Sequence, residues 1–99
     1  MRISIFLFVA LACSASGAQA QDAATRNMAS ACAICHGTDG QAVTKEVVSL
    51  AGRPRDDIAA QLRAFRDGQR PATVMHQIAK GYTDQQIDAL AAWFAAQKR

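Results

Sequence analysis

The 99 residues hold only three cysteines and two prolines. They show no sustained apolar–polar alternation and no hairpin dipeptide between apolar runs, so a sheet-based fold is excluded. No apolar run approaches the roughly twenty residues that a membrane-spanning helix needs. The formal charge is only +3, too mild for the basic stripe of a nucleic-acid-binding chain. There are no internal repeats and no low-complexity tract. What remains is an all-α chain that has to find its stability somewhere other than in a sheet, a disulfide framework or a bilayer.

The first twenty residues read as a secretory signal peptide. Arg2 supplies the charged start, Ile3 to Ala12 an unbroken apolar run, and Ala18-Gln19-Ala20 a small-residue cleavage site. An ordinary amphipathic helix is a poor alternative, because the apolar run has no polar face. Cys13 directly follows that run and offers a second processing site, at which a lipid-anchored form would arise. Cleavage after Ala20 leaves one domain, residues 21–99, with ten Lys/Arg against eight Asp/Glu. Export points to the periplasm. A chain below about 80 residues buries little apolar surface and generally needs a staple. Cys32 and Cys35 are then the only thiols left, so several disulfides cannot provide it.

Helical periodicity runs through the rest. Asp22 is a candidate cap for a first helix reaching about Ile34, with Met28, Cys32 and Cys35 at i, i+4 and i+7. Gly37 and Gly40 break the chain, and 41–52 reads as irregular. Pro54 suits a first helical position, Asp56 and Asp57 suit the positive end, and Gly68 suits the stop. Ile58, Leu62 and Phe65 make that helix's apolar stripe. A short segment, "ATVMHQIAKG", leads to Thr83-Asp84-Gln85-Gln86, which matches a capping box. Ile87, Leu90, Ala91 and Phe94 then line one face of a closing helix, with Trp93 beside it.

The chemistry is concentrated in "CAICH". A redox dithiol of the thioredoxin kind would need a βαβ context. A Cys32–Cys35 disulfide would close a loop too small to stabilise much. Tetrahedral zinc wants four well-spaced ligands, and Cys35 and His36 are adjacent with no second pair downstream. C-x-x-C-H is, however, the attachment signature of c-type haem. Cys32 and Cys35 would form the thioethers, His36 would supply the proximal nitrogen, and the macrocycle itself would be the missing staple. For the opposite axial position the candidates are Met28, Met75 and His76. Met28 lies on the same helix as His36 and cannot reach the other face. Met75, 39 residues after His36, has chain enough to wrap round the ring; His76 is its alternative, and Met75 could instead be a core residue. His/Met ligation would leave no open position on iron and so implies electron transfer rather than bond-making.

These motifs resemble the class I cytochromes c of the small monohaem kind. "CAICHGTDG" is similar to that family's attachment turn, "SLAG" to its proximal loop, "QLRAFRDGQR" to its middle helix, "ATVMHQIAKGYTDQQI" to its methionine loop and "LAAWFAAQ" to its closing helix. The resemblance implies three to five short helices around one covalent haem c and no catalytic residue. It also implies thioethers at Cys32 and Cys35, iron ligands His36 and Met75, and the first helix packed on the last near Trp93. "MHQIAKGYTDQQIDALAAWFA" looks most like the cytochrome subunit of flavocytochrome c sulfide dehydrogenase, which implies a flavoprotein partner that oxidises sulfide. Val48 departs from the pattern: the family has a proline there, whose carbonyl receives the proximal imidazole's hydrogen bond.

Arg53, Arg55, Arg63, Arg66 and Arg70 cluster around the middle helix. They read either as a solvated face neutralised by Asp56, Asp57 and Asp67, or as a docking rim for an acidic redox partner with one arginine on a haem propionate. Three alternatives stand beside the sulfide-dehydrogenase subunit: a free-standing carrier serving an oxidase or reductase, a five-coordinate haem enzyme or gas-binding cytochrome, and a haem-free disulfide-bearing helical domain.

Overall fold

Alanine and glutamine upstream of Asp22 favour helix, and the first helix accordingly starts earlier than a cap at Asp22 would allow. In a computed structural model describing residues 16–99, with side-chain surroundings from residue 22, α1 spans Ser16–Ser30 and carries Asp22 in its interior. The apolar start of the signal-peptide reading and the Cys13 alternative lie outside the described residues. Nor does α1 run on to Ile34. It closes on i→i−3 bonds, Ala31 N to Met28 O at 3.3 Å and Cys32 N to Ala29 O at 3.0 Å. The chain then restarts as α2, Ala33–His36, with Cys32 as its N-cap residue and Cys35 within it, so the two cysteines belong to a short new helix instead of ending a long one. A 3₁₀ turn, Thr38–Gly40, follows.

Two glycines make that turn. Gly37 has φ +83°, and a Cβ there would lie 1.8 Å from the Gln41 carbonyl oxygen. Gly40, buried at φ +81°, leaves room for Phe94 Cδ1, 2.8 Å from where a Cβ would stand. Only glycine meets both the positive φ and the close approach.

The middle helix, α3, is Arg55–Arg66, with Pro54 just outside it at φ −56°, ψ 133° as the N-cap residue, one step earlier than the N1 position expected. Asp56 and Asp57 occupy its first turn and Arg63 and Arg66 its last, the arrangement that suits the helix dipole. The short α4 is Met75–Ala79. The capping box opens α5, Asp84–Ala95: the Thr83 hydroxyl accepts from Gln86 N at 3.2 Å, and Thr83 N donates to Gln86 Oε1 at 2.9 Å.

Among the described residues there are these five α-helices, one 3₁₀ turn and no strand. The fold is all-α, as the periodicity predicts. α5 is the central element: α1 and α3 both pack on it, and α3 also carries α4. Their shared core is Ala29, Ile58, Ala59, Ile87, Leu90, Ala91 and Phe94, with Met28 and Trp93 packed against it. Among the described residues only Ile58, Ile87, Leu90 and Phe94 are large apolar side chains that are buried. At about 1.5–3 kcal/mol for each large apolar side chain fully buried, that is a thin core for its length. The apolar faces of α3 and α4 instead look onto a cleft.

Candidate haem site

The cleft measures about 350 Å³ and is lined mainly by apolar groups. Ile58, Leu62 and Phe65 on α3 form one wall, Val74, Met75 and Ile78 at α4 another, and Leu90 and Phe94 from α5 the floor. The stripe at i, i+4 and i+7 on α3 explains that wall: Ile58 turns inward to the core while its partners stay half-buried at the opening. The N-cap and body of α2 bring Cys32, Cys35 and His36 to the same cleft. All three residues of the motif and Met75 therefore share one cavity. Met28 packs on the core instead, and His76 does not line the cleft; its Nδ1 is buried without a hydrogen-bond partner.

Both cysteines are free thiols, Cys32 half-buried and Cys35 exposed. Burial, and secondarily the nearby Cys35, push the Cys32 thiol above its ordinary pKa, so it stays neutral. The His36 ring is held by its Nδ1, 2.7 Å from the Val48 carbonyl oxygen. A carbonyl can only accept, so Nδ1 carries the proton and Nε2 keeps the lone pair needed by a metal. Val48 thus supplies its carbonyl without the proline ring.

An apolar cleft lined by two free thiols, a tautomer-fixed imidazole and a thioether fits a porphyrin in donor set and in polarity. Besides the motif residues, the polar lining comprises Glu46, Arg53, Gln61, Arg70 and Tyr82. Arg70 donates to Gln61 Oε1 and lies 4.8 Å over the Phe65 ring.

The basic cluster on α3 is largely spoken for within the chain. Arg63 bonds Asp88 at 2.8 Å and Asp84 at 3.1 Å, and Arg66 bonds Asp84 at 2.7 Å and Asp67 at 3.1 Å. Hydrogen bonds from Arg66 and then Arg63 hold the Asp84 carboxyl below its usual range. Asp84 and Asp88 on α5 were absent from the sequence-based pairing, since a gap of about twenty residues gives no local signal. Arg70 has no carboxylate partner among the described residues. Also unanticipated as cleft-lining were Val47, Leu50, Gln61 and Tyr82, two of them in the aperiodic loop 41–52.

A family profile described as "Cytochrome C oxidase, cbb3-type, subunit III" matches residues 19–94. Cytochrome c-554(548) of Halomonas halodenitrificans is 36% identical over 70 residues, 68% of this chain and 84% of that protein. The cytochrome subunit of sulfide dehydrogenase from Chlorobaculum tepidum is 41% identical over 63 residues, 64% of this chain and 56% of the relative. A solved structure of Acidithiobacillus ferrooxidans cytochrome c4 superposes with a TM-score of 0.67 at 35% identity, covering 82% of this chain and 49% of that one. The chain spans most of the first of these and about half of the other two. With the profile matched along most of its length and a cytochrome c4 fold around a thiol-edged apolar cleft, the chain belongs to the class I cytochromes c, carriers of electrons on covalent haem c.

Proposed function

We propose that the chain is a periplasmic single-electron carrier whose haem is joined to Cys32 and Cys35 and whose iron is ligated by His36 and Met75. The observation that supports this is that all four residues line one mainly apolar cleft. When bound, haem supplies a one-electron ferric–ferrous couple. The chain's own part is to hold, orient and dry it. Cys32 and Cys35 fix an edge, the Val48 carbonyl sets the His36 tautomer, and Met75 fills the opposite side so that no substrate reaches iron. Leu62, Phe65 and Leu90 exclude water. Arg70, which lines the cleft and has no carboxylate partner among the described residues, is the cation we assign to a propionate.

The electron donor we propose is a sulfide-oxidising flavoprotein, on the likeness to the sulfide dehydrogenase subunit. A thiosulfate dehydrogenase electron acceptor from Thiomonas intermedia, 40% identical over 70 residues, points likewise to oxidation of sulfur compounds. The second reading, a free-standing carrier, is favoured by the coverage of cytochrome c-554(548), 84% of whose length is matched. Purification of the haem-loaded protein from its native periplasm separates the two. Co-elution with a flavin-containing protein supports the subunit, and elution as a monomer reduced by several donors supports the free carrier. A pyridine haemochrome assay tests the cofactor, and a colourless, folded product refutes it.

A further inference from the structure

Val48 holds His36 from a loop that has no helix, strand or proline within it: residues 43–47 are successive bends and 48–50 carry no regular structure. Two cross-links close that loop. At its base the Gly40 carbonyl accepts from Leu50 N at 2.8 Å and Ala51 N at 3.1 Å. Nearer the tip, Ala42 N donates to the Ser49 hydroxyl at 2.9 Å. Ser49 thus directly follows the residue whose carbonyl accepts from His36, and its side chain is the only one of this loop that bonds within it among the described residues. A carbonyl turns with the peptide plane it shares with the following residue, so anchoring Ser49 restrains the Val48 C=O directly.

We propose that Ser49 is a positioning residue for the proximal imidazole: by bridging to Ala42 it aims the Val48 carbonyl at His36 Nδ1. The inference rests on His36 as the iron ligand, as proposed above. A well-aimed carbonyl acceptor makes the imidazole a more basic, more electron-rich ligand, which favours the ferric state. Loss of the bridge therefore raises the reduction potential.

The test uses the haem-loaded protein with Ser49→Ala, Ser49→Thr and Ser49→Ala combined with Val48→Pro. Midpoint potential is read by spectroelectrochemical titration, and exchange of the His36 Nδ1 proton by NMR of the ferrous form. Ser49→Ala is expected to raise the potential and speed exchange several-fold, while Ser49→Thr, which keeps the hydroxyl, stays near wild type. Val48 N donates to no acceptor among the described residues, so proline sacrifices no bond there. Its fixed φ is expected to return both readouts toward wild type in the double variant. A folded, low-spin Ser49→Ala protein with unchanged potential and unchanged exchange overturns the inference, as does a threonine variant shifted as far as the alanine one. If wild type lacks covalent haem, or if His36→Ala leaves its axial spectrum intact, the proposed ligation itself fails and takes the inference with it.

Discussion

Gly40 is a position where one added carbon meets three neighbours: Phe94 Cδ1 at 2.8 Å, Ala51 N at 3.0 Å and Leu50 Cβ at 3.1 Å. Gly40→Ala is expected to lower stability by at least about 2 kcal/mol, combining a positive-φ cost with overpacking against a buried aromatic. Urea denaturation of the haem-loaded protein measures it. Met75→Ala is expected to abolish the iron–thioether charge-transfer band and to let the ferrous protein bind carbon monoxide. An unchanged band would mean that Met75 is a packing residue. At this scale the haem signature was legible, because C-x-x-C-H lies in types and spacings; that Met75 lines the same cleft needed the fold. Ser49 was not legible. Its importance comes from a hydroxyl seven residues from its donor, across a loop with no periodicity to reveal the pairing.

At the scale of elements, the capping box at Thr83 and Gln86 is present as the sequence predicts, because its partners are three residues apart. Thr83→Ala removes the hydroxyl acceptor and is expected to cost about 1 kcal/mol in unfolding free energy, read by chemical melts. The end of α1 was misread for the opposite reason. Helical spacing continues through Cys32, but the tight turn at Ala31 and Cys32 follows from how the segment packs, which composition does not carry. The α3–α5 clamp also needs the fold. Asp84 has its pKa depressed in the folded state by Arg66 and Arg63, so its contribution to stability is present above the unfolded value of 3.8 and is lost as pH falls below it. Asp84→Asn is expected to be less stable than wild type at neutral pH and to show a weaker decline on acidification. Because these groups are exposed, added salt should narrow the difference; a difference insensitive to salt would refute the electrostatic account.

For the whole molecule, the missing staple inferred from chain length has a counterpart in the packing. Of the nine buried apolar residues five are alanine, and the larger side chains of α3 and α4 face the cleft. Without haem those walls face water. The Cys32→Ala, Cys35→Ala protein, produced without covalent haem, is therefore expected to lose most of its far-UV helical signal or to unfold without a cooperative transition. A sharp thermal transition close to that of the haem-loaded protein would refute this. The all-α class, the helix count among the described residues and the need for a haem were within reach of sequence reasoning. The internal neutralisation of Arg63 and Arg66 was not, and it shrinks the expected docking rim to Arg53, Arg55 and Arg70. Arg53 reaches Asp57 only at 3.9 Å, and Arg55 pairs with its exposed neighbour Asp56.

Trp93 is the chain's single tryptophan and packs against the core from α5, the helix on which α1 and α3 both rest. A porphyrin absorbs where indole emits, so the native protein should be dark under ultraviolet excitation and brighten as α5 leaves its neighbours. One built-in fluorophore, with no label attached, can therefore follow the departure of that helix in real time.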